Sequence, residues 1–186
     1  MDQPRTYLAL GDSMSIDDYT EVKGGGAVSQ FAKSLGSGWH LDDRTFDGCQ
    51  MEGVPRDGTG DLITLTIGGN DLLWNKQQYL QEGMEGFAAE HLELLTVIRQ
   101  RNPEAVLIVG DIYHPDAVLS DEEAAGLAAA NEAIRRNSDS VGALLAPIHD
   151  TFCGQEAEYL CLNIEPTLAG ATVIARLFER AWAQAN

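Results

Sequence analysis

Short unbroken apolar runs alternate along this chain with longer stretches of helical periodicity. Tyr7-Leu8-Ala9-Leu10 is the first run, stopped by Gly11. A run of that length bounded by a turn residue predicts a strand buried on both faces. Leu62 to Ile67 is the clearest strand, wholly apolar or β-branched and stopped by Gly68-Gly69. Trp39 to Phe46 predicts a second, less regular strand, Ala105 to Ile112 a fourth, and Val141 to Ile148 a fifth, broken near its end by Pro147. Between the runs the period changes. Val28, Phe31, Ala32 and Leu35 share one face of a helix over Ala27 to Leu35. Phe87, His91, Leu94, Leu95 and Ile98 make an amphipathic stripe on a helix from Gly86 to Arg101, which ends at Asn102-Pro103. On that stripe His91 reads as a residue packed between helices. Ser120-Asp121-Glu122-Glu123 is a capping box opening an Ala-rich helix to about Asn137. A last helix runs from about Thr167 to Ala185, with Leu168, Ala171, Ala175, Phe178 and Trp182 along one side.

Strands alternating with helices imply a parallel sheet covered on both faces by right-handed crossovers. The expected fold class is α/β, a flavodoxin-like three-layer α/β/α sandwich with a five-stranded parallel sheet of order 2-1-3-4-5, formed by residues 1–186 as one domain. In that frame Ser13, Gly48, Asn70, His114 and His149 follow the carboxyl ends of successive strands, and all lie at the edge where open α/β sheets bind ligands.

Composition narrows the partners. Twelve Lys and Arg stand against 29 Asp and Glu, a formal net charge of −17. That balance argues against nucleic acid, whose phosphates require basic side chains, and against anionic membrane surfaces. No apolar run is long enough to cross a bilayer, and Met1 to Arg5 lacks the basic and apolar regions of a signal peptide, so a cytoplasmic protein is expected. Cys153 and Cys161 could pair across a loop and leave Cys49 free; without a secretory signal, reduced thiols are the expectation. Lys23-Gly24-Gly25-Gly26 at a helix start could cradle phosphate but lacks the Walker spacing, and reads as a flexible loop. Asp17-Asp18 lacks further oxygen ligands at set spacing and reads as a solvated turn, so no metal site is expected.

Ser13 alone could simply cap the next turn. Acyl transfer, however, needs a nucleophile, donors for an oxyanion and a base, and the edge offers the first two. Ser13 brings an oxygen and its own N–H, Gly48 a backbone N–H without a side chain in the way, and Asn70 an amide on a glycine-rich turn.

Gly11-Asp12-Ser13, Gly48 and Gly68-Gly69-Asn70-Asp71 resemble three of the four blocks of the SGNH (GDSL) hydrolases, in that family's order and spacing. The resemblance spans nearly the whole chain. It implies ester hydrolysis without a cofactor, with Ser13 as nucleophile, Gly48 and Asn70 as oxyanion donors, and a small-molecule ester, often carboxylic or carbohydrate, as substrate. The last block departs from the pattern. The family reads Asp-x-x-His-Pro there; this chain reads Leu162-Asn163-Ile164-Glu165-Pro166, with Gly170 keeping the register. Glu165 stands in place of the histidine and Leu162 in place of its aspartate. Three bases are open: Glu165 with its pKa raised by burial, His149 at the end of the fifth strand, and, behind it, His114 in Asp111-Ile112-Tyr113-His114-Pro115. The competing expectation is a catalytically weak or inactive protein that binds an ester or sugar in the same pocket. A flavin or phosphate module is the third, disfavoured by Asp17-Asp18 after the first strand.

Overall fold

The computed structural model describes residues 5–185. In chain order the elements are β1 (Arg5–Gly11), α1 (Ala27–Leu35), β2 (Trp39–Thr45), β3 (Leu62–Thr66), α2 (Gly69–Trp74), α3 (Lys76–Glu82), α4 (Glu85–Arg101), β4 (Val106–Gly110), α5 (Asp121–Ser140), β5 (Leu144–Ala146), α6 (Ile148–Phe152), α7 (Glu156–Tyr159), β6 (Leu160–Cys161), β7 (Glu165–Pro166) and α8 (Leu168–Gln184). The main sheet has the order β2-β1-β3-β4-β5, every pair parallel, as expected. β6 and β7 form a separate antiparallel hairpin.

Strand alternation sorts the core into two layers. Leu8 and Leu10 of β1 join Ile63 and Leu65 of β3 on one face, against Phe87, Leu94 and Leu95 of α4 and Leu127 and Ile134 of α5. Tyr7 and Ala9 point the other way, with Leu62 and Ile108, against Phe31 of α1 and Ile174 and Phe178 of α8. The Tyr7 hydroxyl reaches Thr64 Oγ1 at 2.7 Å, so its polar end is satisfied inside the core. His91 is buried in the first layer, its ring stacked on Phe87, and burial pushes its pKa down to about 4. It is a packing residue.

The capping box forms in full: Glu123 N–H donates to Ser120 Oγ at 3.2 Å, and Ser120 N–H donates to Glu123 Oε2 at 2.7 Å. Three expectations change. The fourth strand stops at Gly110 because the side-chain amide of Asn131 takes both the N–H and the C=O of Ile112, at 2.8 and 2.7 Å, leaving nothing for a ladder. The fifth strand shrinks to Leu144–Ala146: the guanidinium of Arg99 draws the carbonyls of Val141 and Gly142 away before it, and Ile148 opens α6 after Pro147. Asp17 is a ligand within its loop, accepting from the N–H groups of Gly24 and Gly26 at 2.7 and 2.8 Å. Its carboxylate fills the nest that a phosphate would need. All three cysteines are free.

The sheet depends on one close approach. Gly11 has φ +128°, and a Cβ there would overlap the carbonyl oxygen of Thr66 on β3. Gly11→Ala should therefore destabilise the protein by about 3 kcal/mol or more, read from its denaturant midpoint at unchanged slope. A variant as stable as the wild type would contradict this role.

Candidate functional site

Immediately beyond that approach the chain turns. Asp12 N–H donates to the Thr66 carbonyl at 2.9 Å, and Ser15 N–H donates back to the Asp12 carbonyl at 3.2 Å. Ser13 sits in this turn with only 8% of its surface exposed. It caps no helix, since α1 begins at Ala27 behind Gly26. Its N–H has no hydrogen-bond partner among the described residues.

Asn70 stands in the first turn of α2. Gly68 makes the entry, with φ +107° and a position where a Cβ would press on the Phe87 ring. Asn70 Nδ2 donates to the Cys49 carbonyl at 3.0 Å, and the Asp71 carboxyl accepts from Met51 N–H at 3.2 Å. These two bonds lash the turn carrying Gly48 to the start of α2. Gly48 itself has φ +72°, and its N–H is unpartnered among the described residues. Nδ2 carries two hydrogens and the Cys49 bond uses one, so Ser13, Gly48 and Asn70 each keep a donor to spare.

The fourth component comes from the β6–β7 hairpin. Leu162 and Asn163 both have positive φ, 50° and 71°, the pattern of a primed hairpin turn without a glycine to announce it. Tyr113 O–H donates to the Ile164 carbonyl and Asp116 N–H to the Asn163 carbonyl at 2.8 Å, so the hairpin is anchored to the chain beyond β4. Its product is a buried Glu165, 7% exposed, facing Ser13. Burial raises the Glu165 pKa; the hydrogen bond from the Ser13 hydroxyl pulls it back, and the nearby Asp47 charge raises it again. Glu165 Oε2 is buried without a hydrogen-bond partner. Leu162, at the position of the missing aspartate, is 74% exposed and turned to solvent.

The two histidines are engaged elsewhere. His149 Nδ1 lies 3.0 Å from the Ile112 carbonyl and its backbone N–H donates to Asp111 at 2.8 Å; His114 Nδ1 lies 2.7 Å from the Pro115 carbonyl. Both act electrostatically on Glu156. Among the described residues no hydrogen bond joins either to Ser13. Of the three candidate bases, only Glu165 meets the serine.

Ser13, Asp12 and Asn70 open onto a cavity of about 460 Å³, whose walls are α2 and α3 on one side and α5 on the other. Among the described residues no cluster of three or more His, Cys, Asp or Glu side chains is placed to hold a metal ion.

Comparison with known proteins now decides the family. The model of the GDSL-like lipase/acylhydrolase family matches residues 9–173. The chain belongs to that family. Its match takes in the turn of Ser13, Asn70 and the hairpin of Glu165 together. Solved structures agree on the fold. A lipase, Lip_vut3, from goat rumen metagenome superposes with a TM-score of 0.80 at 18% identity, covering 95% of this chain and 97% of that one. An α/β hydrolase, LAE5, from the Lake Arreo metagenome gives 0.74 at 20%, covering 98% and 96%. An acetylxylan esterase, Axe2, from Geobacillus stearothermophilus gives 0.73 at 15%, covering 95% and 93%. No curated protein matches the sequence. What these structures share with the chain is the fold; the glutamate facing the serine is read from this chain.

Asp12 yields a prediction about stability. Burial pushes its pKa up to about 8, with hydrogen bonds from Met14 N–H and Thr66 opposing and the charges of Glu165 and Asp71 adding. The folded protein thus holds a proton that the unfolded chain releases near pH 4. The resulting stability is complete below that value and is lost as pH rises towards 8. Asp12→Asn, which cannot titrate, should lose less stability over that interval in denaturant titrations at stepped pH. Equal losses in the two proteins would contradict the burial argument.

Proposed function

We propose that this protein is a serine-dependent carboxylic-ester hydrolase in which Ser13 is the nucleophile and Glu165 the general base. The observation that carries the reading is the buried Glu165 carboxyl set against the Ser13 hydroxyl, beside three unspent donors and an open cavity. Ser13 Oγ attacks the acyl carbon and gives its proton to Glu165. The Ser13 and Gly48 N–H groups and the Asn70 amide hold the negative oxygen of the tetrahedral intermediate. As that intermediate collapses, Glu165 returns the proton to the leaving alcohol. Water then enters, gives a proton to Glu165 and attacks the acyl carbon; as this second intermediate collapses, Glu165 returns the proton to Ser13 Oγ and the acid leaves.

A carboxylate suits this role under two conditions. Its basicity must exceed that of a solvated glutamate, and burial raises the Glu165 pKa in that sense. It must also be oriented. In a Ser-His-Asp triad the aspartate fixes the tautomer and angle of the imidazole. A carboxylate has no tautomer, so loss of the histidine removes the need for the aspartate, and Leu162 at that position is exposed. The backbone of the hairpin does the orienting. No cofactor enters any step.

Ser13→Ala should abolish ester turnover. Glu165→Gln, which keeps the shape, should lower kcat by about 10²–10⁴-fold. His149→Ala and His114→Ala should stay within a few-fold of wild type. Because the base acts ionised, kcat/KM should rise as pH climbs through the raised pKa of Glu165, and Glu165→Gln should lack that limb. A loss in His149→Ala as large as in Glu165→Gln would assign the base to the histidine.

A further inference from the structure

One peptide at the site has no fastening of its own. Phe46 to Cys49 form a β-turn: Cys49 N–H donates to the Phe46 carbonyl at 3.4 Å, and Asp47 and Gly48 are the central residues. Gly48 has φ +72° and Asp47 does not share its positive φ, so the turn is type II. Both ends are tied. Phe46 N–H donates to the Gly11 carbonyl at 3.1 Å, and the Cys49 carbonyl accepts from Asn70 Nδ2 at 3.0 Å. Between them, among the described residues, neither the Asp47 carbonyl nor the Gly48 N–H has a hydrogen-bond partner, and a Cβ built on Gly48 meets nothing within 4 Å. Rotating the Asp47–Gly48 peptide by about 180° between fixed ends converts type II into type I and reverses the Gly48 N–H. Glycine opposes neither form.

What holds Asp47 is Tyr19, whose O–H donates to Asp47 Oδ2 at 2.9 Å. Tyr19 stands on a 3-10 turn, Asp18–Thr20, and its loop is braced. The Thr20 hydroxyl donates to the Asp17 carbonyl at 2.7 Å, and the Asp17 carboxylate sits in its nest of glycine N–H groups. The bond to Asp47 is the first cause lifting the Tyr19 pKa to about 12, so the hydroxyl keeps its proton at neutral pH. The bond lies at the surface and adds little to the stability of the fold.

We infer that Tyr19 and Asp47 are a positioning pair, their hydrogen bond latching the Asp47–Gly48 peptide in the orientation that offers the Gly48 N–H to the oxyanion. The inference rests on the hydrolase reading for what that N–H stabilises, not for how the peptide is held. Asp47 has a second, separable effect. The charge of Glu165 acts on Asp12, Tyr19, Tyr113 and Cys161, each of which holds its proton more tightly than usual. Asp47 brings the charge that acts on Glu165 in turn.

The two effects separate by substitution. Tyr19→Phe removes the latch and keeps the charge; Asp47→Asn keeps an acceptor for the hydroxyl and removes the charge; Asp47→Ala removes both. Peptide orientation is read by NMR without any turnover, from the Overhauser contact between the Hα at position 47 and the Gly48 amide proton, close in a type II turn and long in type I. In Tyr19→Phe and Asp47→Ala that contact should weaken, and kcat should fall about three- to tenfold with KM little changed, because the donor acts on the transition state. Asp47→Asn should recover most of both. In the pH profile of kcat/KM the acidic limb should stay in place in Tyr19→Phe. It should move to lower pH in both Asp47 variants, since losing the Asp47 charge lowers the Glu165 pKa. A merely structural loss would lower the melting temperature and shift neither the limb nor the contact selectively. An undiminished contact in Tyr19→Phe would overturn the latch, as would a wild-type kcat there in a protein whose turnover depends on Ser13. An unmoved limb in Asp47→Asn would overturn the action of Asp47 on Glu165. If the contact weakens as expected while Ser13→Ala leaves ester turnover intact, the latch stands and the serine mechanism fails.

Discussion

The carboxyl ends of β1 and β3 meet at a separation that only a glycine permits. Gly11 leaves no room between itself and the Thr66 carbonyl, and that carbonyl accepts the next N–H, from Asp12. Everything at the site is measured from this crossing. It fixes the turn that holds Ser13, it seats Asp12 in the interior, and through Thr66 Oγ1, 2.8 Å from Ser15 Oγ, it ties the turn to the central strand a second time. A wider sheet would let the serine drift, and the donors on the neighbouring loops would no longer share a focus with it. Rigid placement of this kind, achieved before substrate arrives, is what makes hydrogen-bond donors effective towards a developing charge.

The electrostatics of the site are set by burial more than by pairing. Asp12, Asp71 and Glu165 lie under the same sheet edge, each with its pKa raised chiefly by desolvation, and Asp12 is raised further by the other two. Carboxyls kept from ionising in this way, by burial first and by neighbouring acids second, make a poor place for an anion but a good place for a proton in transit. Asp12 and Asp71 are occupied by backbone N–H groups. Glu165 alone reaches the serine. Acids outside this group act on it too, Asp47 on Glu165 and Glu90 on Asp71; the rest of the strongly acidic surface is solvated and bears on solubility and on which partners approach.

Much of this was legible in the amino-acid sequence, because the strands are continuous apolar runs and the loop blocks carry glycines at the places where φ is positive. Tyr7 to Gly11 and Leu62 to Thr66 needed no tertiary information, and Ser13, Gly48 and Asn70 followed from their positions beyond strand ends. Other features were invisible for physical reasons. α2 and α3 are too short to show a helical period, yet they supply one wall of the cavity. The hairpin of Glu165 turns on Leu162 and Asn163, residues that do not advertise left-handed backbone. The choice among three bases turns on contacts that pattern cannot locate: the imidazoles of His114 and His149 engage the Pro115 and Ile112 carbonyls, while Glu165 faces Ser13.

Everything proposed for the site depends on whether Glu165 activates Ser13. The most direct measurement is the rate at which a fluorophosphonate labels the protein, followed by intact mass across pH 4 to 9 in wild type, Ser13→Ala and Glu165→Gln. Stoichiometric labelling of the wild type, at a rate that climbs with pH as Glu165 ionises, is expected. Ser13→Ala should remain unlabelled, and Glu165→Gln should label slowly and without that climb. Labelling of Glu165→Gln at the wild-type rate and with the wild-type pH dependence would show that the carboxylate is a bystander.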